Sequence, residues 1–189
     1  LDIKEMMTTR GEHFQEYLSR TYTRNEIMNT IVHGNTQLKL KDIYVPLTIY
    51  EEVNNPNRLE MQINGYPKEL MDKYQKILIT DTAGMGKSTL TKRIYLDIID
   101  NGLGIPICVE LRRLSGTKKI LTEIQEQLNS ISQSFDAKLL TRLISSGGFI
   151  FILDGYDEIS LGEKELVTKD IQDFIAQVSA NNKIIMSSR

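Results

Sequence analysis

The sequence predicts an α/β fold of three layers, in which helices cover both faces of a parallel sheet. From Ile77 onward, strand-like runs alternate with helical runs, which is the signature of βαβ units. The run FIFILD at 149–154 is apolar throughout, as expected for a strand that helices bury on both faces. These two observations place an α/β core at residues 76–189.

The core is predicted to contain four strands and four main helices, in alternation. The predicted strands are ILIT at 77–80, IPICVEL at 105–111, FIFILD at 149–154 and KIIMSS at 183–188. The predicted helices cover 87–100, 119–129, 136–145 and 163–180.

Two further regions are predicted before the core. Residues 1–35 indicate a helical segment, because apolar residues from Phe14 to Ile31 recur at three- and four-residue spacing. Residues 36–75 indicate an extended segment, since LKLKDIYVPLTIYEEV is β-rich and contains Pro46, which favours either an edge strand or an extended linker. A short helix is expected at its end.

The two ends of the chain indicate a piece of a longer protein. The chain begins with Leu1, and it stops at Arg189, directly after an apolar run that would form a strand. We therefore expect the α/β core to be incomplete at its C-terminus.

Composition narrows the classes of function. The formal charge is −2, which gives no basic footprint for nucleic acid. The single cysteine, Cys108, excludes an internal disulfide, and no Cys/His cluster has zinc-ligand spacing. No apolar run approaches the ~20 residues that a membrane span needs, and no signal peptide is visible. We expect a cytoplasmic protein without a membrane segment.

The stretch ILITDTAGMGKSTL at 77–90 resembles a phosphate-binding loop, whose pattern is G-x-x-x-x-G-K-[ST]. Amide groups in the turn and in the first helical turn would bind phosphates, assisted by the helix dipole. The side chains of Lys87 and Ser88 would contact the β- and γ-phosphates and Mg²⁺. The predicted nucleotide contacts are Thr82, Ala83, Gly84, Met85, Gly86, Lys87, Ser88 and Thr89.

The first glycine of this pattern is replaced by Asp81. Aspartate tolerates unusual backbone geometry and accepts a hydrogen bond from the amide two residues later. We predict that the Asp81 carboxylate bonds to the Ala83 N–H and points away from phosphate.

A second group of polar residues follows the strand FIFILD. Asp154 ends this strand, where an aspartate in phosphate-loop enzymes helps to hold Mg²⁺. Asp157 or Glu158 could orient or deprotonate an attacking water molecule. Arg189 follows the last strand, at a height where a cation could contact the γ-phosphate. A solvated acidic turn and a plain terminal arginine are the alternatives.

Two classes of phosphate-loop protein do not fit. GTPases carry DxxG and N-K-x-D, but position 157 is aspartate and no N-K-x-D occurs. Transport-type ATPases carry an LSGGQ-like signature, for which the string LSGTKK at Leu114 is too early and incomplete. Small-molecule kinases resemble this chain less, because no segment reads as an acceptor-site lid.

The motifs AGMGKSTL, IPICVELRRL, FILDGYDEI and IIMSSR resemble, in this order, those of the NACHT subclass of STAND NTPases, particularly bacterial members. The resemblance covers roughly residue 36 to the end, and Gly155 in the D-G-[aromatic]-D-E form is its most specific part. It implies that the strand KIIMSS lies between the phosphate-loop strand and the Asp154 strand.

This resemblance also implies function. Such proteins are ATP/ADP switches that hydrolyse ATP slowly and self-associate when a trigger is sensed, in bacteria as part of antiphage immunity. Residue by residue, it implies that Lys87, Asp157, Glu158 and Arg189 act in hydrolysis and that Ser88 and Asp154 hold Mg²⁺. Two further residues, Tyr44 and Val45, would contact the adenine. The trigger would be sensed by regions outside this chain.

Two functions from other classes remain open. A motor-type ATPase would remodel nucleic acid or protein and hydrolyse ATP repeatedly. A non-hydrolysing scaffold would bind nucleotide without releasing phosphate.

Overall fold

The computed structural model describes residues 3–29, 37–51, 60–82, 84–129 and 134–189. Its helices are α1 (Ile3–Glu26), α2 (Leu40–Ile43), α3 (Lys68–Lys73), α4 (Lys87–Asp100), α5 (Ile120–Leu128), α6 (Ala137–Ser146) and α7 (Lys164–Gln177). Its strands are β1 (Ile27–Asn29), β2 (Gln37–Lys39), β3 (Leu47–Tyr50), β4 (Glu60–Ile63), β5 (Lys76–Thr80), β6 (Ile105–Glu110), β7 (Phe149–Asp154) and β8 (Lys183–Ser188).

The main sheet contains four parallel strands in the order β5-β8-β7-β6. The predicted position of the strand KIIMSS, between the loop strand and the Asp154 strand, is therefore confirmed. Thr80 is paired with Ser188, and Glu110 with Asp154. Because the strands are parallel, the residues that follow all four strands meet at one edge of the sheet.

Helices pack against both faces of this sheet, as the alternation along β7 shows. Phe149, Phe151 and Leu153 belong to a buried cluster with residues of α5, α6 and α7. Ile150 and Ile152 point to the other face and pack with residues of α4. The predicted α/β class with a parallel, helix-covered sheet is confirmed.

A buried amide fixes the junction between α6, β7 and β8. The side chain of Asn182 is 2% exposed and accepts a hydrogen bond from the Phe149 N–H at 3.0 Å. Its Nδ2 donates to the Ile144 carbonyl at 2.7 Å. One side chain thus satisfies two buried backbone groups that would otherwise lack partners.

The N-terminal helix α1 packs on the core and forms hydrogen bonds with two of its elements. The Tyr17 hydroxyl donates to the Pro106 carbonyl of β6 at 3.1 Å. Tyr22 donates to Asp100 at the end of α4 at 2.9 Å. These bonds attach α1 to both β6 and the C-terminal end of α4.

The predicted N-terminal helix is too long. It was expected to include Ile27 and Met28, but α1 ends at Glu26 and these two residues form β1, paired with Lys39 and Leu38 of β2. The pairing of β1 with β2 overrides the helical spacing, because a few apolar residues near the end of a helix are compatible with helical and with strand periodicity. Ile31, the last residue of the predicted pattern, lies outside the described residues.

Residues between α1 and the core contain an antiparallel pair of short strands, in agreement with the edge strand that the sequence allows after Pro46. β3 follows Pro46 and pairs antiparallel with β4, with Leu47 opposite Ile63. The short helices α2 and α3 flank this hairpin, which packs on the α4 side of the main sheet. Its position brings Leu47 next to the loop that precedes α4.

Among the residues that the structure describes, none of the helices combines the length and hydropathy needed to cross a membrane.

Candidate functional site

A cleft of ≈ 280 Å³ lies at the edge of the sheet where β5, β7 and β8 end. It brings together the loop before α4, the turn after β7 and the end of β8. Its lining residues are Gly84, Gly86, Lys87, Ser88, Thr89, Asp154, Gly155, Asp157, Glu158, Ser187 and Arg189.

The loop between β5 and α4 has the backbone geometry that the glycine pattern predicts. Gly86 precedes the first residue of α4 with a φ of 87°, in the left-handed region that favours glycine. A Cβ at this position would lie 3.7 Å from the Leu47 side chain, so the hairpin covers one side of the turn. The first amides of an α-helix have no partner inside the helix, and Lys87, Ser88 and Thr89, which begin α4, line the cleft.

Lys87 folds back across the loop. Its ammonium group donates to the carbonyl oxygens of Asp81 at 2.7 Å and Thr82 at 2.8 Å. These contacts hold a positive charge over the loop, at the cleft. A phosphate group bound at the loop would meet this charge directly.

Asp81 lies before the turn, and its side chain is exposed. Its carboxylate accepts a hydrogen bond from the Thr82 N–H at 2.6 Å. The predicted bond to the Ala83 N–H involves a residue outside the described ranges and stays a prediction. Asp81 is not among the residues that line the cleft.

Asp154 is held in place by a hydroxyl on the neighbouring strand. The Ser187 Oγ donates to Asp154 Oδ1 at 2.6 Å and accepts from the Gly155 N–H at 2.8 Å. Ser187 is 2% exposed, so this bridge is almost completely shielded from water. Sequence reasoning missed Ser187, although the serines that end β8 were visible beside the predicted Asp154 strand.

The turn after Asp154 depends on glycine. Gly155 has a φ of 78°, in the left-handed region, and begins the 3-10 turn Tyr156–Glu158. A Cβ on Gly155 would lie 3.1 Å from the Glu158 side chain. The glycine therefore lets the chain turn sharply and leaves room for Glu158 beside it.

The two candidate acids have different surroundings. Both carboxylate oxygens of Asp157 contact Arg189. Oδ1 accepts a hydrogen bond from the Arg189 backbone N–H at 2.9 Å, and Oδ2 lies 2.9 Å from the Arg189 Nε. Glu158 has a longer contact, 3.4 Å, with the guanidinium group of Arg112. Its side chain is 45% exposed, against 19% for Asp157. Glu158 is thus the more accessible acid, and Asp157 primarily fixes Arg189.

Arg112 connects Glu158 to the end of β6. Its Nη2 lies 2.7 Å from Glu110 Oε2, so one guanidinium group binds both carboxylates. The hydrogen bond to Glu110 raises the pKa of Arg112, which stays charged at every physiological pH. The acid that faces the cleft is therefore held by a permanent cation.

Four of the predicted contacts do not line the cleft. Tyr44 is half-buried, its hydroxyl donates to the Ile63 carbonyl at 3.0 Å, and burial raises its pKa. Val45 is 75% exposed and precedes the hairpin strand that adjoins the loop. Thr82 and Met85 are exposed on the loop itself. Ala83 lies outside the described residues.

The cleft fits Mg²⁺ only in the manner of a nucleotide site. Within the described ranges no group of three or more His, Cys, Asp or Glu side chains could enclose a metal ion. Ser88 and Asp154 nevertheless line the same cleft. Mg²⁺ is commonly bound by one or two protein ligands, with water and substrate phosphates completing its shell. The two residues suit that mode.

No protein-family model matches the chain, and no significant relative is found among curated proteins.

Proposed function

We propose that this chain is a phosphate-loop NTPase domain that binds ATP or ADP with Mg²⁺ and hydrolyses ATP slowly. The observation that carries the proposal is the single cleft shared by Lys87, Ser88, Asp154, Glu158 and Arg189. These residues come from three separated segments, and each belongs to a motif that points to the same chemistry.

Each of these residues has a role that its position supports. The amides of the first turn of α4 and the ammonium group of Lys87 would hold the β- and γ-phosphates. Ser88 and Asp154 would ligate Mg²⁺, with Ser187 orienting the carboxylate. The metal ion would neutralise charge on the phosphate oxygens.

Hydrolysis would use Glu158 as the acceptor of a proton. A water oxygen attacks the γ-phosphorus, the bond to the bridging oxygen of ADP breaks, and Glu158 takes a proton from the water. Arg189, fixed by Asp157 at 2.9 Å, would place positive charge near the γ-phosphate. The resemblance to NACHT proteins implies that this reaction is slow.

We further propose that the domain acts as a switch, in line with its resemblance to NACHT proteins. Exchange of ADP for ATP would control self-association, and a trigger would act through regions outside this chain. Residues of three motifs that carry this resemblance, AGMGKSTL, FILDGYDEI and IIMSSR, line the cleft. The setting implied by the resemblance is defence against phage.

The first test is the substitution Lys87→Ala. It removes the ammonium group that faces the cleft, while the two carbonyl groups it contacts remain accessible to water. We expect loss of ATP and ADP binding, measured by calorimetry, without loss of the folded state. Lys76→Ala is a matched control, since Lys76 lies at the opposite end of β5 and binds only the Ile175 carbonyl among the described residues. Unchanged nucleotide affinity in Lys87→Ala would refute the proposal.

Turnover separates the switch from the two other functions. A switch should release phosphate slowly, and added nucleic acid or protein should not accelerate the reaction. Stimulated, repeated hydrolysis would instead indicate a motor, and binding without phosphate release a scaffold. Phosphate release at saturating ATP is the measurement.

A further inference from the structure

A second cavity adjoins the nucleotide cleft and has a different character. Its volume is ≈ 530 Å³, and it lies between α1, α4 and the turn Leu111–Arg113. Ser88, Asp154 and Glu158 line both cavities, so the two share a wall. The size lies within the range of small-molecule sites, roughly 300–1,000 Å³.

Positive charge is concentrated in this second cavity. Five cationic side chains and three carboxylates line it, whereas the whole chain has a formal charge of −2. The cations come from three walls of the cavity, namely α1, α4 and the turn after β6. They are Arg20, Arg24, Lys92, Arg112 and Arg113.

Lys92 is the cation that the protein leaves unsatisfied here. It is half-buried on α4, one helical turn after Ser88. Within the described ranges it makes no ion pair and no side-chain hydrogen bond, in contrast to Arg93 next to it, which pairs with Asp97. The three N–H donors of Lys92 are therefore available to an anion in the cavity.

The arginines have partners but retain free donors. Arg24 contacts Glu110 through one nitrogen at 3.5 Å, and 73% of its side chain is exposed. Arg20 donates to the Gln127 carbonyl through Nη2 at 2.6 Å. A guanidinium group has five N–H donors, so each arginine keeps several for a ligand. Such planar forks match phosphate and carboxylate groups.

Buried polar groups also line this cavity. Tyr17 and Tyr95 are buried, and the Thr21 hydroxyl is hydrogen-bonded to the Tyr95 hydroxyl. The volume of ≈ 530 Å³ suits a small molecule.

We propose that this second cavity binds a small molecule with two or more phosphate or carboxylate groups, beside the nucleotide but separate from it. At least two anionic groups are needed because the cations stand on different walls. Lys92 on α4 and Arg24 on α1 would each contact one of them. The inference rests on the second cavity and does not depend on which nucleotide the first cleft takes.

Calorimetry with two probes tests the inference, at constant ionic strength so that general screening does not change. Inorganic pyrophosphate is titrated into the Lys87→Ala variant, in which the phosphate loop no longer contributes its lysine. Citrate is titrated into the unaltered chain saturated with ADP and Mg²⁺. Pyrophosphate tests the phosphate form of the ligand and citrate the carboxylate form.

Lys92→Ala should weaken binding of whichever probe binds by roughly tenfold, the usual value of a hydrogen bond to a charged group. Arg24→Ala is the second variant, with the same direction expected. Lys138→Ala removes the same charge from an exposed position on α6 and should change the affinity less than about twofold. Thermal unfolding of each variant confirms that it is folded.

Two results would overturn the inference. In the first, pyrophosphate does not bind the Lys87→Ala variant and citrate does not bind the unaltered chain. In the second, Lys92→Ala and Lys138→Ala have equal effects on the probe that binds. Failure of ATP and ADP to bind the unaltered chain is a different result. It would refute the proposed NTPase function, and binding of pyrophosphate that depends on Lys92 would then still support the second site.

Discussion

Replacing Ser187 with alanine separates the positioning of Asp154 from the stability of the fold. Ser187 Oγ is the hydrogen-bond partner of the Gly155 N–H at 2.8 Å and of Asp154 Oδ1 at 2.6 Å, and the residue is 2% exposed. Alanine fills nearly the same space, so no large cavity arises. The substitution leaves a buried N–H without a partner, which costs about 1–3 kcal/mol.

The effect on metal binding should be separate from this loss of stability. A residue that orients a metal-binding carboxylate commonly contributes about 10–100-fold to metal affinity. We expect Ser187→Ala to raise the Mg²⁺ concentration that supports nucleotide binding by about tenfold. The assay is a Mg²⁺ titration of ATP binding, accompanied by urea unfolding to measure the free energy.

Ser188→Ala is the matched control for Ser187→Ala. Ser188 is also buried, at 8% exposure, but its contact with the loop is made by its backbone carbonyl, which accepts from the Asp81 N–H at 3.3 Å. We expect a change below about 0.5 kcal/mol and an unaltered Mg²⁺ dependence. Equal effects of the two substitutions would refute the reasoning. A loss of stability in Ser187→Ala with unchanged Mg²⁺ dependence would refute the positioning role alone.

Two further predictions concern Glu158 and Cys108. Glu158→Gln should lower ATP hydrolysis by about 10²–10⁴-fold and leave ATP affinity nearly unchanged, measured as phosphate release beside calorimetry; a mutant with normal turnover would exclude Glu158 as the base. Burial raises the pKa of the Cys108 thiol to about 12, so the folded protein keeps it protonated while the unfolded chain ionises near its usual value of 9.0. Stability should therefore fall as pH rises above 9, and alkylation of Cys108 at pH 8 should be much slower in the folded protein than in urea. Equal alkylation rates in the two states would contradict this assignment.

Much of the fold followed from local patterns. The helix predicted at 87–100 and the strands at 149–154 and 183–188 have those bounds in the structure. A buried parallel strand is an unbroken apolar run in the sequence, and glycine often follows the end of a helix. Both features can be recognised from neighbouring residues alone. The end of α1 was misjudged, since the pairing of Ile27 with Lys39 is a contact between distant residues.

The candidate site was less predictable in its contacts than in its members. Asp157 and Glu158 are both candidate acids, and the sequence does not indicate which of the two acts on the water molecule. Only the partners distinguish them, because Arg189 takes both oxygens of Asp157 while Glu158 has one longer contact with Arg112. Arg112 precedes Glu158 by 46 residues, and no local pattern encodes that distance.

The sequence by itself determined that a strand, a glycine-containing turn and a helix follow one another before and within α4, because each of these steps depends on neighbouring residues. It also determined that Asp154 ends a buried strand. Only the tertiary structure decided that Ser187 orients Asp154, that α1 covers β6, and that Lys92 faces a second cavity without a described partner. The physical reason is that a hydrogen bond acts over only a few ångströms. The strand order brings together residues that are far apart in the sequence, so no local pattern predicts these contacts.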